Sequence, residues 1–151
     1  MSLKVNDIAP NFKLLNHNDE LVELNKIKKN VVLFFYPKDN TPGCTKEAIE
    51  FSKNLDKINK LGYLVFGISK DSTKKHRNFI EKHNLLIDLL SDFENDTCEK
   101  YKVWVEKSMY GKKYFGIERT TFLIDKNNKI LHVWNKVKVA NHLEEILSFL
   151  K

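Results

Sequence analysis

The sequence predicts an α/β fold, a central mixed β-sheet flanked by helices and edged by an N-terminal β-hairpin. Three observations carry that prediction. Residues 31–36, Val-Val-Leu-Phe-Phe-Tyr, form an unbroken β-branched and aromatic run, as a strand covered on both faces requires. A second such run, 64–68, follows, and between the two Ala48, Phe51, Leu55 and Ile58 recur at three- and four-residue spacing on one helical face. Towards the C-terminus, 121–124 and 130–134 flank the polar turn 125–129, the pattern of a β-hairpin. A parallel β-α-β unit followed by an antiparallel hairpin gives a sheet of mixed direction.

In chain order, residues 12–15 and 21–24 around Asn16-His17-Asn18-Asp19 predict an edge hairpin. The strand 31–36, one helix carrying the 48–58 stripe and the strand 64–68 come next. Asp71-Ser72-Thr73 supplies a cap for a helix running to about His83, and 93–101 suggests another short helix. After the hairpin, Leu143, Ile146, Leu147 and Leu150 mark the buried stripe of a terminal helix starting near His142. The order β-α-β-α-β-β-α is that of a thioredoxin-like fold. No repeat, low-complexity tract or Pro/Gly linker interrupts it, so 1–151 reads as a single domain.

Composition narrows the function. With 42% hydrophobic and 30% charged residues among 151, the chain is too apolar for a disordered tail and too charged for a membrane bundle. No stretch approaches the ~18 apolar residues of a membrane-crossing helix. The opening Met-Ser-Leu-Lys-Val-Asn-Asp has no apolar signal core, so the expected location is a reducing intracellular compartment, in the simplest case the cytoplasm, or the nucleus in a eukaryote. The net charge is +6, and all but two of the 26 basic residues are lysines, the exceptions being Arg77 and Arg119. These lysines fall in small scattered groups without interleaved aromatics, which argues against nucleic-acid binding. Two cysteines, Cys44 and Cys98, make neither a disulfide scaffold nor a four-thiolate zinc site. His17, His76, His83, His132 and His142 show no paired metal spacing and are expected to be packed or solvated, so no metal is predicted. Trp104 and Trp134 read as core or interface aromatics.

The chemistry concentrates at Tyr36-Pro37-Lys38-Asp39-Asn40-Thr41-Pro42-Gly43-Cys44-Thr45-Lys46-Glu47. This string puts a cysteine in the first turn of a helix, directly after a buried strand and a Pro/Gly loop. Unpaired backbone N–H groups and the positive end of the helix dipole favour an anion there, and so favour the thiolate of Cys44. Other cysteine chemistries fail on spacing. A phosphatase loop needs an arginine six residues on, where Glu50 stands, and Cys44 has no Cys-x-x-Cys partner.

Pro37-x-x-x-Thr41-x-x-Cys44 resembles the active-site signature of the peroxiredoxins, and the fuller string resembles their bacterioferritin-comigratory-protein branch, also called PrxQ. The likeness continues through Leu90-Ser91-Asp92, Met109 to Lys113, Gly116 to Asp125 and Val137-Lys138-Val139, nearly the whole chain. It implies a thioredoxin-like AhpC/TSA-type domain and a cofactor-free peroxidase, oxidised by hydrogen peroxide or organic hydroperoxides. Its reductant would be a thiol such as thioredoxin, glutaredoxin or glutathione, and the protein would be a monomer or homodimer. Cys44 would be the nucleophile and Pro37 the shield of its pocket. Thr41 would hydrogen-bond thiolate and peroxide, Arg119 would hold the thiolate and the peroxide oxygens, and Glu47 would orient Arg119. Thiolate formation alone does not suffice. Lowering a thiol pKa from about 8.5 to about 6 raises the thiolate fraction at neutral pH only about thirtyfold, while making it less nucleophilic. Most of the acceleration must come from donors aimed at the breaking O–O bond.

The chain departs from the branch at its resolving cysteine. The two usual places, five residues after the nucleophile and on the helix after the second strand, hold Ile49 and Ile80. Ile49 falls opposite the apolar stripe beside Lys53, Asp56 and Lys60, as a replaced cysteine would. Cys98 lies at neither place and reads first as a packed residue. The expectation is therefore a 1-Cys cycle. The alternatives are a 2-Cys cycle with Cys98 resolving, or a basic nucleic-acid-binding module on a thioredoxin-like scaffold with vestigial cysteine chemistry.

Overall fold

The computed structural model describes residues 2–151. Its main sheet has seven strands. The N-terminal hairpin pairs β1 (Lys13–Asn16) with β2 (Leu21–Glu23), and β3 (Asn30–Phe35), β4 (Tyr63–Ser69) and β5 (Asp88–Ser91) run parallel at its centre. β8 (Thr120–Ile124) and β9 (Ile130–Trp134) return antiparallel, giving the order β2-β1-β5-β4-β3-β8-β9. β6 (Trp104–Met109) and β7 (Lys112–Ile117) stand apart as a two-stranded ribbon.

The unbroken apolar run of β3 is explained by cover on both faces. Val31, Leu33 and Phe35 enter one core with Phe12, Leu14, Leu24, Tyr101 and Phe122. Val32, Phe34 and Tyr36 enter the other, which is built by α2 (Pro42–Lys53), α3 (Leu55–Lys60), α4 (Thr73–His83) and α6 (His142–Leu150) through residues such as Phe51, Ile58, Phe79 and Ile146. The short helices α1 (Leu24–Ile27) and α5 (Thr97–Lys100) cover the first face. Contact between Phe34 and Phe51 is a stack with ring centroids 4.3 Å apart. Gly67 on β4 makes room for it, since a Cβ there would meet the Phe34 ring at 2.6 Å and Leu89 at 2.9 Å.

Several expectations need correcting. The predicted single helix through 48–58 is two helices, because the Asn54 side chain donates to the Glu50 carbonyl at 2.8 Å and competes with the helical ladder. The helix expected over 93–101 is only Thr97–Lys100. Residues before it wrap so that the Asp92 carboxylate accepts from the backbone N–H groups of Thr97 (3.0 Å) and Cys98 (2.8 Å). Ile49 is not stranded on a polar face but is half-buried against the second core, and Ile80 packs there too. β5, α1 and the β6–β7 ribbon add to the elements that the sequence predicts. The ribbon turns through Tyr110 and Gly111, both at positive φ, the two-residue geometry whose twist suits a hairpin. Trp104 packs partly buried against the first core and Trp134 against the second.

Candidate active site

β3 ends at Phe35, and a loop leads to Thr41, the residue preceding α2. Pro42 occupies the first helical turn, where its missing N–H costs nothing. Cys44 therefore sits in that turn, 1% exposed. The Thr41 hydroxyl does not cap the helix. It donates to the Lys38 carbonyl at 2.8 Å and not to Cys44, correcting the expected bond to the thiolate, and its oxygen lone pairs are left as acceptors. Pro37 is half-buried in the same loop.

β8 brings in the partner. Its register pairs Phe35 with Thr120, so Arg119 enters beside the start of the Cys44 loop. Arg119 Nη2 donates to Cys44 Sγ at 3.2 Å and Nη1 to Glu47 Oε1 at 2.6 Å. Gly43 leaves space for the guanidinium, since a Cβ there would lie 3.2 Å from Nη2. Glu47, one turn after Cys44, is wholly buried, and its Oε2 has no hydrogen-bond partner. Burial pushes its carboxyl up to about 7 against the opposing pull of Arg119. Burial also works against the Arg119 charge, but Glu47 and Cys44 together hold it above its ordinary range.

Behind the pair, His142 is buried and shares a hydrogen bond with the Thr121 hydroxyl at 2.8 Å. Burial and, after it, Arg119 lower His142 to about 4, so it is neutral at physiological pH. Lys107 of the ribbon donates to the Ile117 carbonyl, and burial, then Arg119, lower it from its usual value.

Of the residues singled out in the sequence, Cys44, Arg119 and Glu47 form one hydrogen-bonded group, with Thr41 on the adjoining loop. Cys98 is elsewhere. It lies in the first core with Phe35 and Tyr101, whereas Cys44 lies in the second, so the sheet stands between the two sulfurs. Burial, and then the Asp92 carboxylate, raise the Cys98 thiol far above an ordinary cysteine.

A second group comes together only in the fold. Asp39, Asp71 and His76 converge under the loop, with potential ligand atoms within 4.8 Å of one another. They are engaged with protein partners instead. Asp39 Oδ1 accepts from the Tyr36 hydroxyl (2.6 Å), Oδ2 faces His76 Nδ1 (2.7 Å), and Asp71 Oδ2 accepts from the Asp39 N–H and the Ser69 hydroxyl (2.8 Å each). Tyr36-Pro37-Lys38-Asp39 held part of this signal, but its partners lie 32 and 37 residues further on.

The chain is similar to known proteins along nearly its whole length. The AhpC/TSA family profile matches residues 5–133. A Coxiella burnetii chain bearing the name peroxiredoxin bcp is 51% identical over 151 residues, covering 99% of this chain and 100% of that one. Peroxiredoxin Bcp of Bacillus subtilis is 45% identical over 152 residues, covering 100% and 97%. A solved structure of the Xanthomonas campestris bacterioferritin comigratory protein, concerned with that protein's alkyl peroxide reduction activity, superposes with a TM-score of 0.87 at 38% identity, covering 92% of this chain and 89% of that one.

Proposed function

This chain belongs to the AhpC/TSA family and is a peroxiredoxin, a thiol-dependent peroxidase; from that premise we propose that Cys44 is its nucleophile, Arg119 and Thr41 bind the peroxide, and the catalytic cycle uses one cysteine. The observation that carries the reading is the Arg119 guanidinium, which reaches Cys44 Sγ with one nitrogen while Glu47 fixes the other.

In the proposed reaction the Cys44 thiolate attacks the terminal oxygen of a hydroperoxide. The S–O bond forms as O–O breaks, and the alkoxide or hydroxide that leaves takes a proton from water. Cys44 is oxidised to the sulfenic acid and the peroxide reduced to alcohol or water. Arg119 stabilises charge as it moves to the leaving oxygen, which suits a planar fork better than the point charge of a lysine. Thr41, its proton committed to Lys38, accepts from the peroxide O–H, and half-buried Pro37 shields the pocket. Hydrogen peroxide and small organic hydroperoxides are the substrate class, in keeping with the alkyl peroxide activity of the Xanthomonas relative.

An external thiol then attacks the sulfenic sulfur, releasing water and leaving a mixed disulfide, which a second thiol reduces. Thioredoxin, glutaredoxin or glutathione fits that role, in a reducing compartment such as the cytoplasm. Support for a single-cysteine cycle comes from the sheet between Cys44 and Cys98 and from the raised Cys98 thiol. The test is peroxide consumption with dithiothreitol as reductant. Cys44→Ser, a one-atom change, is expected to abolish turnover while leaving the far-ultraviolet spectrum unchanged. Retained activity in Cys44→Ser sinks the assignment.

A further inference from the structure

The loop that carries Thr41 is fastened from below by the buried Tyr36–Asp39–Asp71–His76 network, to which the reaction above gives no part. His76 is 0% exposed on α4. Its Nε2 faces the Leu90 carbonyl of β5 at 3.0 Å, and a carbonyl only accepts, so Nε2 carries a proton. Its Nδ1 faces Asp39 Oδ2 at 2.7 Å, a separation at which two lone pairs repel, so a second proton lies on that line. His76 and Asp39 are thus joined by a short buried hydrogen bond. Asp39 is further held by the Tyr36 hydroxyl, which burial and the Asp39 charge keep protonated, and by its own N–H on Asp71.

A buried polar pair of this kind adds little stability over apolar residues of the same volume, so stability does not explain it. What it supplies is geometry. Asn40, between Asp39 and Thr41, stands at a φ of 63°, a left-handed conformation that asparagine tolerates and that turns the chain sharply between the two. With Asp39 pinned on one side and the Thr41 hydroxyl tied to Lys38 on the other, the loop has one way to present the Thr41 oxygen.

We propose that His76 is a positioning residue for the peroxide step, acting through Asp39 on the placement of Thr41. The inference rests on the reading of Thr41 as a peroxide-binding residue. The two are separated by measuring, on reduced protein in a Cys98→Ser background, the single-turnover rate with hydrogen peroxide and the alkylation rate of Cys44 by iodoacetamide, which needs the thiolate but not Thr41.

His76→Leu is expected to slow the peroxide reaction by on the order of tenfold or more, since small displacements of a substrate-positioning group are costly in rate, with alkylation changed by less than about threefold. His76→Asn, whose amide nitrogen can stand where Nδ1 stands, is expected to recover the peroxide rate to within about threefold of wild type. In a Thr41→Val background, His76→Leu is expected to cost less than about threefold more, because the two changes act through one contact. A wild-type peroxide rate in His76→Leu, an equal fall of both rates, or a full additional loss in the Thr41→Val background overturns the inference alone. A wild-type peroxide rate in Thr41→Val overturns the reading of Thr41 and the inference with it. Should His76→Leu not fold, Tyr36→Phe, which removes one hydroxyl from the same carboxylate, carries the test: a several-fold slower peroxide reaction is expected, and an unchanged one overturns the inference.

Discussion

Arg119 gives the residue scale its sharpest test. Arg119→Lys keeps a positive charge near Cys44 but loses the fork that serves Sγ and Glu47 together. We expect it to slow the reaction with peroxide by on the order of 10²-fold, the usual penalty for losing a directed donor in a transition state. Stopped-flow rates on reduced protein check this, and a near-wild-type rate would make Arg119 a bystander. Glu47 gives a second test through its buried, half-satisfied carboxylate. Its carboxyl is raised to about 7 in the fold, so the folded state binds a proton that the unfolded chain has already lost. The corresponding stability is present below the unfolded value of 4.5 and is lost as pH rises through about 7. At pH 8 the ionised group costs about 3 kcal/mol, an order-of-magnitude figure from the size of the shift. Glu47→Gln should therefore gain stability on wild type between pH 5 and pH 8 in urea denaturation, while its peroxide rate falls as Arg119 loses its anchor. Parallel stability profiles for the two proteins would refute the argument.

At the scale of elements, Gly67 is the most exposed to change. A methyl group there meets the Phe34 ring and Leu89 inside normal contact distance, in the layer where Phe34 stacks on Phe51. Gly67→Ala is expected to destabilise the protein by about 1–3 kcal/mol, the usual cost of overpacking a tight core. The shift in urea midpoint measures it, and an unchanged midpoint refutes it. The legible elements are those whose burial is written locally. The run of β3 and the stripe of α6 can be read because each residue's environment follows from its neighbours. Asn54 breaks a helix through a side-chain bond that no apolar periodicity reports. The ribbon strands mix charged, polar and aromatic residues on a largely exposed surface, so they lack the apolar pattern of a covered strand. Cys44 could be read for the same local reason as β3, since strand, loop and helix start are consecutive. Arg119 and Glu47 were reached only through family likeness. In the sequence His76 reads as packed or solvated, because its partner Asp39 lies 37 residues earlier and meets it only in the folded chain.

For the whole molecule, the division of the apolar interior into two layers decides what the two cysteines can do together. A disulfide requires Cα atoms within roughly 7 Å, and Cys44 and Cys98 belong to cores on opposite faces of one sheet. One equivalent of peroxide should leave no Cys44–Cys98 bond, and Cys98→Ser should turn over at the wild-type rate with a small thiol. Intact mass decides it, because an internal disulfide lowers the mass by about two units, whereas a sulfenic acid adds an oxygen. A loss of two units that vanishes in Cys98→Ser would establish a 2-Cys cycle. The same partition sets the timing of the proposed cycle. In that proposed cycle, with Cys98 across the sheet from Cys44, the oxidised form has no clock of its own. Its lifetime is set by whichever diffusing molecule reaches Cys44 first, a thiol that restores it or a second peroxide that carries it to the sulfinic acid. The ratio of those two concentrations, rather than either alone, would then determine how many turnovers a molecule completes before it is retired, and a protein working by that cycle would be a comparator of oxidant against reductant supply.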